Sequence, residues 1–259
     1  MAEERFICCL KYGVMYDADY VNVLFNASRA AMRGPFRFIC LTDSAEGLEP
    51  GIEVLPIPGL GLEAREWFVG GVWPKLAIYD QYFHGLKGRM LFIDLDMVVL
   101  RDLDSFFEVE GSFIGIDTGS SWDRLEPTAP PQLGSGIIAF EIGAHARLAD
   151  NFRRAKKKII GSFRTEQAFT EASLSEISFW PKGWVISFKY FLRQPLGLDL
   201  FLQPKKPPLD AKVLAFHGRP RPIDLIGKKY KFWDRFPHLG HGPVTWMVDY
   251  WRKNGGRLL

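Results

Sequence analysis

The chain has 259 residues, 47% hydrophobic and 24% charged, the balance of a globular protein with a sizeable core rather than a disordered or fibrous one. Its three cysteines include an adjacent pair and no C-x-x-C, which speaks against a disulfide framework or a structural zinc site and suits a reducing compartment. The net charge of +3 hides an asymmetry, because residues 201–259 hold twelve Lys/Arg against four Asp/Glu; such a basic end suits a diphosphate, a nucleic acid or an anionic membrane, or is simply a solvated face.

The opening MAEER is acidic and lacks the apolar core of a signal peptide. No apolar run approaches the roughly 18 residues of a membrane span, so a cytoplasmic location is expected. Residues 5–10 form an apolar run read as a buried first strand. From Asp17 the spacing of Tyr20, Val21, Leu24, Phe25 and Ala31 predicts a helix that stops at Gly34-Pro35. Strands are expected over 36–41 and 54–57, a helix over 73–83 with Pro74 in its first turn, and a strongly apolar strand over 90–93 that runs into Asp94-Leu95-Asp96. Residues 97–100 continue extended. Strands follow over 113–116 and 136–140, separated by a long loop from Asp117 to Gln132, and then helices over 145–160 and 165–174. A late strand over 212–216 leads into His217-Gly218. This alternation predicts an α/β fold with a mostly parallel sheet covered by helices. No internal boundary is evident, so one domain is expected over 1–259, with a basic, aromatic extension from about 228.

The most informative constellation is Asp94 and Asp96 at the end of the apolar strand. Ligands of open α/β sheets bind at the carboxyl ends of strands, and strand alternation would put both carboxylates on one side. Two carboxylates held close repel unless a cation sits nearby; Mg²⁺ or Mn²⁺, which leave positions for phosphate oxygens, are the natural partners. A solvated strand-end turn is the plain alternative. His217 at a strand end could ligate a metal as neutral imidazole, Gly218 permits close approach of a ligand to the backbone, and Arg219 and Arg221 could neutralise phosphates. A basic, Pro-rich surface turn would look the same. The glycines of Gln132-Leu-Gly-Ser-Gly136 read as backbone contact with a bound group or as a tight turn. Thr165-Glu166-Gln167 opens a helix, where an acid is favourable for capping alone. Lys75 could touch a phosphate or a sugar hydroxyl.

Taken in order, these pieces resemble the retaining GT-A glycosyltransferases of the family 8 type, which include glycogenin and bacterial lipopolysaccharide galactosyl- and glucosyltransferases. The resemblance rests on ICCLKYGVMYDADYVNVL, LFIDLDMVVLRDLDSFF, QLGSGIIAFEI, TEQAFT and HGRPRPI. It implies a GT-A (Rossmann-like) fold with a mixed, mostly parallel central sheet flanked by helices. It also implies transfer of a hexose from a nucleotide-diphosphate sugar, with uridine as the base, to an acceptor hydroxyl with retention of configuration. Asp94, Asp96 and His217 would hold Mn²⁺ or Mg²⁺. Lys75, Asp94, Gly218 and Arg221 would contact the donor. Glu166 would bind donor-sugar hydroxyls, and Gln167 would lie near the reacting face of the sugar. Three departures stand out: Gly134 replaces the family's Asn, Glu166 its Asp, and Arg221-Pro222-Ile223 its Lys-Pro-Trp. The lost Asn contact would pass to Gln132 or Asp117.

The acceptor is open to a glycan, a lipid-linked sugar or a small molecule. No nucleic-acid module accompanies the basic end. The tail from 228 either packs as a cap or rests on an anionic membrane at the inner face. Rival readings are a haloacid-dehalogenase-type phosphohydrolase built on the same Asp pair, a nucleotidyltransferase, and a non-catalytic nucleotide-sugar-binding protein.

Overall fold

The computed structural model describes residues 4–119, 122, 128–227 and 243–258. In chain order the regular elements are β1 (Arg5–Lys11), α1 (Ala18–Ala31), β2 (Arg37–Thr42), β3 (Glu53–Leu55), β4 (Arg89–Ile93), β5 (Met97–Val99), α2 (Asp104–Glu108), β6 (Phe113–Asp117), β7 (Leu133–Glu141), α3 (Ala146–Ser162), α4 (Glu166–Ser173), β8 (Ser178–Phe179), β9 (Val185–Ser187), β10 (Val213–Ala215), α5 (Pro222–Ile226) and α6 (Thr245–Lys253). The main sheet has the order β3-β2-β1-β4-β7-β6-β8. Only β7 runs against its neighbours, so the sheet is mixed and mostly parallel, as expected.

Strand β1 illustrates why the apolar run becomes a central strand. Side chains alternate across a pleat, and Ile7 and Cys9 join a core with α1 residues Val21 and Leu24. Phe6, Cys8 and Leu10 join the opposite core with Trp73, Tyr79 and Phe152. A strand covered on both faces needs no polar side, which is why its sequence is continuous rather than alternating. The chain winds outward from β1 to β3 and then returns to β4 on the other side of β1. The carboxyl ends of β1 and β4 therefore flank a crevice at the point where strand order reverses.

Several boundaries differ from the sequence expectation. Strand β3 stops at Leu55, because Pro56 has no N–H to donate to a ladder. The helix expected over 73–83 is a 3₁₀ helix over Trp73–Tyr79, closed by Lys75 N–H to Val72 C=O (3.0 Å) and Asp80 N–H to Ala77 C=O (3.1 Å). All seven residues are buried, so this short piece is held by packing rather than by helix propensity. Strand β7 begins at Leu133, not at 136, so the Gly-Ser-Gly stretch is strand and not loop. Gly134 lies opposite Ile116 in the ladder, and a Cβ there would sit 2.5 Å from Thr118 Cγ2 and 3.1 Å from Ile116 Cβ. Restoring the family's residue with Gly134→Asn is thus expected to destabilise the fold by about 1–3 kcal/mol, read as a lower thermal midpoint; an unchanged midpoint would refute the crowding.

The strand expected over 212–216 forms as β10, yet it joins a second sheet of order β5-β10-β9 that the sequence did not announce. Val98, Val99, Val213 and Leu214 of that sheet share one core with Ile93 and Leu24. Helix α6 closes this face: Trp251 meets Tyr20 edge-on at 5.1 Å, and Arg257 Nε donates to Asp19 Oδ2 at 3.0 Å. The tail therefore packs as a cap over 243–258, whereas 228–242, the stretch for which a membrane contact was the alternative reading, lies outside the described residues.

Candidate active site at the ends of β1 and β4

Asp94 and Asp96 do not follow strand alternation. Met97 N–H donates to Asp94 C=O at 3.0 Å, so residues 94–97 make a turn between β4 and β5, and this turn brings both carboxylates to the crevice. They line a cavity of about 390 Å³ together with Thr118, Gln132, Gln167 and His217. The cavity thus gathers, from separate elements, five of the side chains singled out in the sequence, Asp94, Asp96, Gln132, Gln167 and His217, together with the glycines Gly134 and Gly136.

Lys75 and Glu166 are placed differently. Lys75 is 1% exposed and lies beneath the cavity. Its Nζ donates to Asp94 Oδ2 (2.8 Å), Ser135 C=O (2.8 Å) and Ser135 Oγ (3.2 Å), with Glu166 Oε1 at 3.7 Å. The ammonium has no donor left for a ligand. Burial works against its charge, but Asp94 and Glu166 outweigh this and hold its pKa above the ordinary lysine value. Glu166 is also buried; its Oε1 accepts from Ser135 Oγ at 2.9 Å, and its Oε2 has no hydrogen-bond partner. Burial pushes this carboxyl up. Both residues support the cavity wall from behind.

Ser135 is the hub that the sequence reading missed. Its N–H donates to Gln167 Oε1 at 3.1 Å while its hydroxyl serves Glu166. Gln167 is thereby fixed by its carbonyl oxygen, leaving its NH₂ group for the cavity. The only cue to Ser135 was its place between two glycines. Around Asp117 the mouth of the long loop is closed by Oδ1, which accepts from Gly119 N–H (2.9 Å) and Gln132 N–H (3.3 Å).

His217 follows β10. Its ring is flanked by Trp122 and Tyr190, each stacked with centroids 5.5 Å away, and Nε2 pairs with Ser187 Oγ at 2.8 Å. Burial, and then the Lys189 charge, hold its pKa below the usual histidine value, so the ring is neutral at pH 7. Lys189 Nζ donates to His217 C=O at 2.6 Å. Gly218 turns the chain with φ +73°, a conformation that favours glycine. Arg221 lies beside the cavity: its guanidinium donates to Met15 C=O at 3.2 Å and lies over the ring of Tyr16, whose hydroxyl reaches Asp96. Neither Gly218 nor Arg221 lines the cavity.

The charge at the crevice is unbalanced. Asp96 receives one long hydrogen bond, from Tyr16 Oη at 3.5 Å, and no ion pair is found for it among the described residues. Burial first, and the Asp94 charge second, push its pKa up to about 7. A raised carboxyl stabilises the fold most when protonated, below the unfolded value, and this contribution fades as pH rises through the folded value. Relative to wild type, Asp96→Asn should therefore gain thermal stability as pH rises from about 4 to about 8 in metal-free buffer. Parallel pH dependences would contradict this.

Two carboxylates short of positive charge, beside a neutral imidazole, make a donor set suited to a hard or borderline divalent cation. Among the described residues no three His, Cys, Asp or Glu side chains are already drawn together to coordinate one, and Ser187 occupies Nε2 of His217.

No protein-family model matches the chain, and no curated protein does. Solved structures do. The bifunctional glycosyltransferase WbbM is 13% identical with a TM-score of 0.56, over 98% of this chain and 50% of its own. The galactosyltransferase LgtC, solved with donor and acceptor sugar analogues, is 10% identical with a TM-score of 0.59, over 96% of this chain and 95% of its own. GlyE of Streptococcus pneumoniae TIGR4 is 11% identical with a TM-score of 0.55, over 98% of this chain and 62% of its own. The chain thus spans half of WbbM but nearly all of LgtC. With the strand order, the crevice and these likenesses in place, the chain has the GT-A fold of these glycosyltransferases.

Proposed function

We propose that this protein is a metal-dependent glycosyltransferase that moves a hexose from a uridine-diphosphate sugar to an acceptor hydroxyl with retention of configuration. The observation that carries this reading is the cavity where Asp94, Asp96, Gln167 and His217 converge, at the strand ends where ligands of such sheets bind. A cation held by Asp94, Asp96 and His217 would supply positive charge against the departing diphosphate. Lys75 and Ser135 hold Asp94 and Gln167 in place before any ligand arrives, and this preorganisation is what makes a polar group effective in a transition state.

The amide NH₂ of Gln167 is a neutral donor of the cavity wall that would face the sugar. Asp94 and Asp96 are the only described carboxylates that line it, and Glu166 lies behind Ser135. Among the described residues no separate carboxylate is offered as a covalent nucleophile, which supports a route in which a leaving phosphate oxygen takes the acceptor proton on the same face. A glutamine-to-glutamate change is an active-site mutation in LgtC, consistent with a working role for a cavity-lining glutamine.

The test is a thermal-shift series of nucleotide sugars with and without Mn²⁺, because a ligand that binds the native state raises its apparent stability. A UDP-hexose should raise the midpoint by several degrees with Mn²⁺ and far less without it. No shift with any nucleotide sugar, or release of free phosphate from phosphomonoesters, would overturn the reading.

A further inference from the structure

Among the described residues, the large hydrophobic side chains exposed to solvent are not scattered evenly. Leu196, Leu198, Phe201, Leu202 and Leu209 fall within fourteen residues, with Leu196 81% and Phe201 59% exposed. The first four belong to a closed loop between β9 and β10, and Leu209 lies just past its base. Its base is fastened by Lys205 N–H to Leu192 C=O (2.8 Å) and Gln194 Nε2 to Gln203 C=O (2.8 Å). Inside it, Asp199 is 1% exposed, accepts from Gly197 N–H at 2.9 Å and faces the Arg193 guanidinium at 3.5 Å. The loop has turned its acid inward and its leucines and phenylalanine outward. That inverts the usual order of a surface loop, and clustered apolar exposure of this kind marks an interaction surface.

The charges within the loop are mostly of one sign, and the nearest exposed acid is Asp210 just past it. Between 188 and 209 the only acid is the buried Asp199, while Lys189, Arg193, Lys205 and Lys206 are basic. Where the loop rejoins the body, Arg101, Lys206, Trp246 and Tyr250 line a cavity of about 230 Å³. Trp246 Nε1 donates to Pro204 C=O at 3.3 Å, which ties this cavity to the loop. Apolar tips flanked by lysines, with Trp and Tyr behind them, match the layered chemistry of a bilayer surface: acyl chains, then an interfacial belt, then anionic headgroups. No described helix is long and apolar enough to cross a membrane, so such contact would be peripheral.

We propose that the loop over 193–209, with its basic rim and the adjoining Arg101–Trp246 cavity, is a docking surface for an anionic lipid bilayer. The loop tip enters the headgroup region, and Arg101 and Lys206 meet lipid phosphates. This surface stands independently of the reaction proposed above. It lies on described residues, apart from the basic stretch over 228–242.

The test is sedimentation of the full chain with vesicles, with L196S/F201S and K205E/K206E as variants. Both pairs are exposed at the surface, so thermal midpoints should stay near wild type. Wild type should pellet with vesicles of phosphatidylcholine and 30% phosphatidylglycerol at 0.1 M salt, about tenfold more weakly at 0.5 M salt or with phosphatidylcholine alone. Each variant should lose about tenfold in partitioning. Three results would overturn the proposal: no pelleting of wild type, pelleting of both variants equal to that of wild type, or a wild-type dimer without lipid that L196S/F201S turns into a monomer. The last would assign the loop to a protein interface.

Discussion

Lys75→Met is expected to destabilise the fold by about 3 kcal/mol at pH 7, the lower part of the range for breaking a buried ion pair. Methionine keeps the length and the packing against Phe92, whose ring centre lies 4.7 Å from Nζ, so charge is the main loss. Removing the ammonium leaves Asp94 and Glu166 facing each other and strips a donor from Ser135 C=O. Asp94 still reaches the cavity, with 33% of its side chain exposed, which limits the penalty because water and counter-ions can approach it.

The loss should shrink on acidification. Burial already pushes both the Asp94 and Glu166 carboxyls up, and without Lys75 they take up protons more readily still, ending the repulsion. Urea denaturation at pH 7 and pH 5 reads both effects. A loss below about 1 kcal/mol, or one independent of pH, would mean that the buried triad does not hold the wall. The double variant K75M/E166Q should be less damaged than the sum of the single ones, since it removes one of the two stranded acids.

Asp96→Asn is expected to lower metal-dependent transfer by at least about 100-fold, the scale for losing one charge-stabilising group in an active site. Asparagine is nearly isosteric and carries no charge, so the fold should be retained or slightly stabilised. The defect should appear in kcat at saturating donor and in weaker Mn²⁺ affinity, measured by titration calorimetry. Full activity with unchanged Mn²⁺ affinity would sink the assignment of Asp96 to the cation. Reduced activity in an unfolded variant would not count, which is why the thermal midpoint is read alongside.

Much of the central sheet was legible because apolar strands and amphipathic helices carry their period in the chain itself. The runs at 5–10, 36–41 and 90–93 became β1, β2 and β4 within one residue at each end. Gly134-Ser135-Gly136 misled because glycine signals a turn locally, whereas here it lets β7 pass close to Ile116, Thr118 and Met97. The phosphohydrolase reading drew on the Asp-x-Asp alone; the strand order around it is that of the GT-A glycosyltransferases. Arg221 was read from its place in the motif order as a diphosphate contact; it lies over Tyr16, whose hydroxyl reaches Asp96, and donates to Met15 C=O.

By itself the sequence determined the α/β alternation, the apolar strand that delivers Asp94 and Asp96, and the order in which Gln167 and His217 follow. These are local or ordinal properties, set by side-chain period and strand-end position. Only the tertiary structure decided which of the candidate groups share a cavity. Lys75 meets Ser135 across 60 residues and His217 meets Ser187 across 30, contacts created by the order of strands in two sheets. No periodicity records that order, because it is the packing of the two cores that selects it. For the same reason the two acids of greatest interest received different tasks: Asp94 is bound into the wall by Lys75, and Asp96 is left short of positive charge.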